Sequence, residues 1–230
     1  MYPEKTVQWC IQSDEEDELF GVDRGCRTFE QRVLRFESGG DESRLPDDEI
    51  LYVLSGSGVG TVGGERAELR PGSAAYVAAG TPWRVDEASG LEVLSVLVRD
   101  PLPSNGKSHA VVALDEVEAG TATAGRMFRM LAPGPSATQF VGYIPAGRAP
   151  DHYHRYDEVV YVLQGNGALH IDGESAPLRP GTCIHLPARL VHALENDGPS
   201  HMQVLGVFRP AGSPAEAYYP DGTPAVVSAA

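Results

Sequence analysis

Short runs of apolar residues recur along the chain, and glycine, proline or polar residues separate them. The runs are rich in Val, Leu, Ile and Tyr, and examples are "ILYVL", "VVYVL", "LEVLSVLV" and "MQVLGVF". Runs of this length between turn residues are typical of β-strands, and no segment shows a sustained helical period. The pattern therefore predicts an all-β protein that is built of short strands.

The chain contains an internal repeat. The segment 49–72, "EILYVLSGSGVGTVGGERAELRPG", aligns without gaps with the segment 158–181, "EVVYVLQGNGALHIDGESAPLRPG", so the offset is 158 minus 49, or 109 residues. About half of the aligned positions are identical. Gly-Gly in one copy and Asp-Gly in the other predict a tight hairpin. A repeat this long is not a solenoid unit and indicates two copies of one small β-sandwich or barrel.

The boundary between the two copies is predicted from composition. Residues 100–108, "DPLPSNGKS", combine two prolines, a glycine and polar residues, as linkers do. This places an N-terminal domain at 1–105, a C-terminal domain at 106–212 and a tail rich in proline and glycine at 213–230. The tail is a poor candidate for a helix or a central strand, but its two adjacent tyrosines indicate that part of it packs on a surface, such as that of the other domain.

Charge and cysteine content narrow the choice of partners. The net charge is −14 and no basic cluster occurs, which argues against nucleic acid and anionic membrane surfaces as partners. No apolar run reaches membrane-spanning length, and the start "MYPEKTVQWC" lacks the apolar region of a signal peptide. The three cysteines have neither metal-binding nor paired spacing. We therefore expect a cytoplasmic protein whose partner is a small molecule.

Residues that can bind a metal lie at the start of the second copy. His152 and His154 are two residues apart, so both side chains face the same way on an extended strand, and Glu158 follows in phase. Downstream, His192 has the alternate phase in the short apolar strand "LVHAL". Three imidazoles and one carboxylate form a mixed nitrogen and oxygen donor set, and this set suits a transition metal with open positions better than a structural zinc.

The first copy lacks this donor set. The residues opposite the four candidate ligands, at the same offset, are Ser43, Leu45, Glu49 and Trp83. One carboxylate cannot hold a metal ion, so the first domain is predicted to be metal-free. We expect core side chains to fill its interior, with Trp83 plugging or lining it, and a pocket for an organic ligand is the alternative.

The order and spacing of these residues resemble the two sequence motifs of the cupin superfamily, and the repeat resembles a two-domain bicupin. The first motif, G-x5-H-x-H-x3/4-E-x6-G, is similar to the segment from Gly147 to Gly165, with one residue fewer after Gly147. The second, G-x5-P-x-G-x2-H-x3-N, is similar to the segment from Gly181 to Asn196, with Arg189 in place of the internal glycine. The resemblance implies two tandem double-stranded β-helix, or jelly-roll, barrels and a metal site in the C-terminal barrel alone.

The resemblance also implies ligands and a range of activities. The ligands would be His152, His154, Glu158 and His192, around one divalent transition metal such as Fe(II), Mn(II), Ni(II), Co(II) or Zn(II). A dioxygenase-type oxidoreductase comes first, with a small oxygenated organic molecule, O2 or both on a metal held by three histidines and one glutamate. The alternatives are a non-redox isomerase, decarboxylase, cyclase or ureidoglycine aminohydrolase-like enzyme, and a metal-anchored binding protein without turnover. Family behaviour also suggests a homodimer.

Three further residues are candidates for a part in the chemistry. Tyr143 lies on the strand that leads to the first motif and has a hydroxyl suited to acid–base work. Arg189 lies near the expected barrel mouth and could bind a substrate carboxylate through two hydrogen bonds, with a solvated loop arginine as the alternative. His185 stands opposite Tyr76 of the first copy, which favours packing over ligation, and a contact to a metal ligand or to substrate is the alternative.

Overall fold

A computed structural model describes residues 10–12, 18–40, 42–103, 110–122 and 126–225. The prediction of an all-β protein is confirmed, because nearly every regular element is a strand and the helical elements are short 3-10 turns at 22–24 and 114–116. Residues 104–108 of the predicted linker lie outside the described residues. Within the described ranges, no helix is long and apolar enough to cross a membrane.

The first repeat is built of one continuous set of antiparallel strands. Strand β1 (Cys10–Gln12) precedes it in the chain and pairs with the second repeat. The strands of the first repeat are β2 (Glu18–Phe20), β3 (Phe29–Phe36), β4 (Asp48–Val62), β5 (Glu65–Leu69), β6 (Ser73–Val77), β7 (Trp83–Val98) and β8 (Val112–Ala113). They form a sheet of order β2-β3-β7-β4-β6-β8, and β5 pairs with the end of β4. The long strands β4 and β7 stay paired along their whole length through several register shifts.

The second repeat follows the same order along the chain as the first, but its strands are shorter. These are β9 (Ala119–Thr121), β10 (Met127–Pro133), β11 (Thr138–Ile144), β12 (Gly147–Arg148), β13 (Asp157–Gln164), β14 (Gly167–Ile171), β15 (Glu174–Leu178), β16 (Thr182–Leu186), β17 (Ala193–Asn196) and β18 (Met202–Arg209). They form one sheet of order β1-β16-β13-β18-β11-β10-β9 and a second of order β12-β17-β14-β15. At the repeat offset, β13 and β14 together correspond to β4.

Strand β13 shows why these segments are strands. Its sequence, "DEVVYVLQ", is rich in β-branched residues, and the positions from Glu158 to Val162 are all buried. It ends before Gly165, whose φ of 90° is a turn conformation that favours glycine. A Cβ atom at this position would lie 2.9 Å from the Cα of Met202, so the turn has no room for a side chain in place of glycine.

Each repeat has its own apolar core. In the second repeat the core side chains come from both sheets, and they are Ile144, Val160, Val162, Leu169, Ile171, Leu178, Ile184, Leu186, Leu194, Met202 and Val204. In the first repeat they are Leu51, Val53, Val62, Ala75, Val77, Trp83, Val85, Leu91 and Val93. Full burial of one such Val, Leu or Ile side chain contributes about 1.5–3 kcal/mol to folding. The two cores therefore hold two separate scaffolds in shape.

The chain forms two compact units, each assembled from separate segments. One unit consists of Asp17–Glu118 and Leu131–Gln139, and the other of Met1–Glu16, Ala119–Met130 and Phe140–Ala230. Strand β1 pairs with β16 and so covers an edge of the sheet in the second unit. The sequence-based boundaries treated each domain as one continuous stretch and did not foresee these two exchanged segments.

Candidate metal centre

A backbone bridge joins His152 to His192. The His152 N–H donates to the His192 carbonyl at 3.0 Å, and the His192 N–H donates to the His152 carbonyl at 2.9 Å. Residues paired directly opposite each other in this way point their side chains to the same face. The two ring centroids accordingly lie 4.6 Å apart. The bridge therefore brings the two motifs of the second repeat together.

His154 completes a group of three imidazoles. Its ring centroid lies 5.2 Å from that of His152 and 5.8 Å from that of His192. One nitrogen from each ring can be chosen so that all three lie within 4.8 Å of one another, and the three side chains are buried. Three converging imidazoles are a common donor set for a divalent transition metal. The second repeat thus contains a three-histidine group that can hold a metal ion.

Each of these imidazoles has a backbone carbonyl as the partner of its Nδ1. The pairs are His152 with the Pro150 carbonyl (2.9 Å), His192 with the Leu190 carbonyl (2.9 Å) and His154 with the Glu216 carbonyl (3.0 Å). A carbonyl oxygen can only accept a hydrogen bond, so Nδ1 carries the hydrogen in each ring and Nε2 keeps its lone pair. Partners of this kind fix both the tautomer and the orientation of a metal-binding histidine.

Burial keeps the three imidazoles neutral. It lowers the pKa of His154 to about 4 and that of His192 to about 3, and it lowers the pKa of His152 well below its usual value. The positive charge of Arg126 acts in the same direction on all three rings. The neutral imidazole is the form that binds a metal, so protons do not compete for these groups near neutral pH.

Glu158 lines the same pocket but lies outside the group of three ring nitrogens. The expectation of one extended strand through the motif was wrong, because residues 155–156 form a bend and β13 begins at Asp157. Burial raises the pKa of the Glu158 carboxyl to about 8, and the charge of Arg126 acts in the opposite direction. A cation bound nearby would favour the ionised carboxylate.

The three histidines and Glu158 open into a pocket with a cavity volume of about 50 Å³. Most of the wall is apolar, from Phe128, Phe140, Ile144, Val160, Leu186, Leu194, Val204 and Phe208. An apolar wall with a few convergent polar groups is the usual character of a small-molecule site. The pocket therefore suits a small organic ligand beside a metal ion.

Arg126 also lines this pocket, and the sequence analysis missed it. It directly precedes β10, and its guanidinium Nε is buried without a hydrogen-bond partner among the described residues. Its charge acts on the three imidazoles and on Glu158. No motif marks the position, and the only available signal was an arginine in front of the apolar strand "MFRML".

Arg189 has a backbone role. It is exposed and is not among the residues that line the pocket. Its N–H donates to the His154 carbonyl at 2.7 Å and so fixes the backbone at His154. Its φ of 68° lies in the left-handed region, which explains why the cupin motif has a glycine here. The geometry therefore gives no support to a substrate contact from its side chain.

The other two candidates differ in where they lie. Tyr143 lines the pocket, where its hydroxyl is a candidate for proton transfer. His185 is buried on β16 and pairs in register with Val159, whereas Glu158 pairs with Leu186. Since neighbouring positions on a strand face opposite sides, His185 lies on the face away from Glu158 and the pocket.

Asn196, the last residue of the second motif, forms hydrogen bonds with the backbone and is not a metal ligand in this arrangement. Its Nδ2 donates to the Ile144 carbonyl at 2.9 Å and to the Ser200 carbonyl at 2.7 Å. Its Oδ1 accepts a hydrogen bond from the Gly198 N–H at 2.9 Å. One buried amide therefore ties the loop after β17 to the end of β11, and this contact explains why the motif ends in asparagine.

Comparison with known proteins agrees with this arrangement. The family model described as "Cupin domain" matches residues 33–98 and 139–208, which together make up more than half of the chain. The chain belongs to the cupin family. Each repeat is one cupin domain, and the prediction of a bicupin is confirmed.

Similar proteins carry several activities. Quercetin 2,3-dioxygenase of Bacillus subtilis (strain 168) is 30% identical over 129 residues, which are 52% of this chain and 34% of that protein. The chain therefore spans about a third of the length of the dioxygenase. Polyketide synthase CurC of Streptomyces cyaneus is 28% identical over 123 residues, 50% of this chain and 80% of that protein. A structure of oxalate decarboxylase of Bacillus subtilis, a protein with Mn(II) centres, has a TM-score of 0.69 at 13% identity, with 89% of this chain and 78% of that chain covered.

The C-terminal tail completes the site of the second cupin. Tyr218 forms a backbone bridge with Tyr153, between the two motif histidines, with N–H to carbonyl distances of 3.0 and 2.9 Å. The Glu216 carbonyl next to it is the Nδ1 partner of His154, and the Glu216 carboxylate accepts a hydrogen bond from Tyr156. Tyr218 of the tail therefore packs on Tyr153 of the same cupin, and the tail orients one imidazole.

Removal of this tail should weaken metal binding. A chain that stops after Gly212 loses the carbonyl partner of His154, and loss of such a partner typically lowers metal affinity by about 10–100-fold. The measurement is a titration with Co(II) against a competing chelator. The matched control is Glu216→Ala, which keeps the backbone carbonyl and should bind Co(II) nearly as tightly as the parent. Equal affinity of the truncated chain, with an unchanged circular dichroism spectrum, would contradict this role of the tail.

The first cupin has the same backbone but different contacts at the corresponding position. Ser43 and Trp83 form the bridge that His152 and His192 form in the second cupin, with N–H to carbonyl distances of 2.7 and 2.9 Å. The Trp83 indole Nε1 donates to Glu49 Oε2 at 2.6 Å, and the Ser95 hydroxyl donates to Oε1. Protein donors therefore satisfy both oxygens of the buried Glu49 carboxylate, and Trp83 also lines an apolar cavity.

Trp83→Phe should destabilise the first cupin. The substitution removes the indole N–H and leaves one oxygen of a buried carboxylate without its donor, which costs about 1–3 kcal/mol. Urea unfolding followed by circular dichroism measures the loss. In a Glu49→Gln background the same substitution should cost less, because no buried charge then loses a partner. An equal cost in both backgrounds would show that the effect is lost packing rather than the hydrogen bond.

Proposed function

We propose that the second cupin is a metal-dependent enzyme site for a small oxygenated organic molecule, and that its reaction is of the dioxygenase type. One observation carries the proposal. Three buried imidazoles, each with its Nδ1 bound to a backbone carbonyl, present Nε2 to a mainly apolar pocket. The relative with a dioxygenase name, quercetin 2,3-dioxygenase, supports the reaction type.

In this proposal the ligands are His152, His154, His192 and Glu158. Three neutral nitrogens and one carboxylate oxygen fit Fe(II), Mn(II), Co(II), Ni(II) or Zn(II), and a six-coordinate ion would keep about two positions open. The metal would supply Lewis-acid activation of the substrate and, if it is redox-active, activation of O2. The phenyl and aliphatic walls exclude water from the reacting molecule, and the Tyr143 hydroxyl is available to move a proton.

Binding of the metal should depend on pH through Glu158. The pKa of this carboxyl is about 8 before metal binds, so below pH 8 a proton must leave when the carboxylate binds the ion. The apparent affinity for Co(II) should therefore fall by about tenfold for each pH unit below 8 and should be constant above it. The imidazoles add no slope in this range, because the pKa of His154 is about 4 and that of His192 is about 3.

The control for the pH dependence is Glu158→Gln. This variant has no carboxyl proton to release, so its affinity for Co(II), measured by chelator competition between pH 6 and pH 9, should be weaker and nearly independent of pH. A slope equal to that of the parent would show that the proton leaves another group and would remove Glu158 from the ligand set.

Non-redox chemistry is the second candidate function. It is favoured by the likeness to oxalate decarboxylase, which covers 89% of this chain and 78% of that chain, whereas the match to the dioxygenase covers 52% of this chain and 34% of that protein. A metal that acts only as a Lewis acid would use the same four ligands. A small-molecule binding protein without turnover is the third reading, and the homodimer stays a prediction from family behaviour.

Metal content and oxygen consumption together test the function. Protein purified without added metal should contain close to one metal ion per chain, and His152→Ala should lose it because one of three nitrogen donors is gone. An oxygen electrode with diketones, catechols and flavonols should record metal-dependent uptake. Product formation without oxygen uptake would instead support the non-redox candidate. No turnover, but thermal stabilisation by one of these compounds, would support the binding protein.

The control for this experiment is His185→Ala, which removes a buried histidine on the face away from the pocket. It should keep its metal. If His152→Ala and His185→Ala both retain the full metal content, the metal centre is not where we place it.

A further inference from the structure

The pocket of the second cupin has an unbalanced set of charges. Among its described lining residues, Arg126 is the guanidinium and Glu158 is the carboxylate, and an imidazole that binds a metal through Nε2 is uncharged. The proposed divalent metal and Arg126 would bring three positive charges together, and Glu158 offsets one of them. A net charge of about two units in an apolar cavity is unfavourable unless an anion accompanies it.

Arg126 forms no ion pair with Glu158 among the described residues. The two side chains line the same pocket. Yet among the ion pairs of the described residues, with nitrogen to oxygen distances up to 4.0 Å, there is none between them. A counter-ion that served only to neutralise Glu158 would gain most from direct contact. Arg126 therefore lines the pocket without an ion pair to Glu158, so its charge is available to a third group.

The unsatisfied atom of Arg126 defines what that group would be. Its Nε is buried and has no hydrogen-bond partner among the described residues. The Nε–H and the adjacent Nη–H form the side-on edge of the guanidinium, which matches the two oxygens of a carboxylate. A buried donor of this kind is costly to leave unpaired, so a bound carboxylate would satisfy it as well as balance the charge.

We propose that Arg126 binds a carboxylate of the substrate while another oxygen of the same molecule binds the metal, so that the site selects small molecules with two anionic ends. The proposal rests on the metal centre of the proposed function and names its substrate class. The reacting end lies at the metal, and the end held by Arg126 positions it. Arg126 is thus a specificity-determining residue.

The test uses the Co(II)-loaded chain with two probes of the same length. Succinate has two carboxylates, and succinamate replaces one of them by an uncharged amide. Binding is followed by the Co(II) absorption spectrum and by calorimetry, and the preference of free aqueous Co(II) for succinate is measured in parallel and subtracted. We expect the parent to prefer succinate by about 10–100-fold beyond the free ion, the value of a charge-assisted hydrogen bond.

Variants identify the residue responsible. Arg126→Gln should lose the preference for succinate and keep its Co(II), since removal of a positive charge does not weaken cation binding. Arg126→Lys should keep part of the preference for succinate, because the positive charge remains but the planar guanidinium edge is lost. The matched control is Arg179→Gln, at an exposed position of the same cupin outside the pocket lining, which should behave as the parent.

Each outcome decides the matter. A Co(II)-loaded parent that does not distinguish the two probes beyond the free ion overturns the proposal, whether or not Arg126→Gln folds. So does an Arg126→Gln variant that keeps the preference. A chain that takes up no Co(II) at all overturns the metal centre and, with it, this proposal, whereas a loaded chain without the preference leaves the metal centre intact.

Discussion

Two backbone hydrogen bonds between His152 and His192 are the constraint on which the candidate site depends. They join two segments that are distant in sequence and put two imidazoles on one face. Because the contact uses only backbone atoms, it does not require histidine. Ser43 and Trp83 make the same pair in the first cupin. One backbone register therefore supports two different interiors, and the side chains at the bridge decide which of them can hold a metal.

The fate of a buried carboxylate distinguishes the two cupins. In the first, Glu49 accepts hydrogen bonds from Trp83 and Ser95, so the protein itself satisfies the charge. In the second, the equivalent Glu158 is buried beside neutral imidazoles, and burial raises its pKa to about 8. A buried acidic group that lacks strong donors favours protonation or a cation as its partner. The equivalent glutamate is thus hydrogen-bonded within the protein in the first domain and lines the candidate metal pocket in the second.

The sequence predicted the parts of the site that depend on repetition and alternation. The strands, the offset of 109 residues and the meeting of the histidines followed from patterns that recur along the chain. The bend at 155–156 did not, because a local break of the strand leaves no clear sign in residue type. The Glu216 carbonyl could not be foreseen either, since every residue has one and only tertiary structure shows which carbonyl meets His154. Arg126 was missed because a lone arginine before a strand matches no motif.

The dependence of His154 on Glu216 has a consequence for how the protein matures. The two residues are 62 positions apart, and the acceptor lies close to the C-terminal end of the described chain. During synthesis from the N-terminus, His154 leaves the ribosome well before Glu216, whose carbonyl orients its imidazole. A nascent chain would therefore present the motif histidines before the Glu216 carbonyl can orient His154. Metal binding that needs all three oriented imidazoles would then follow docking of the tail.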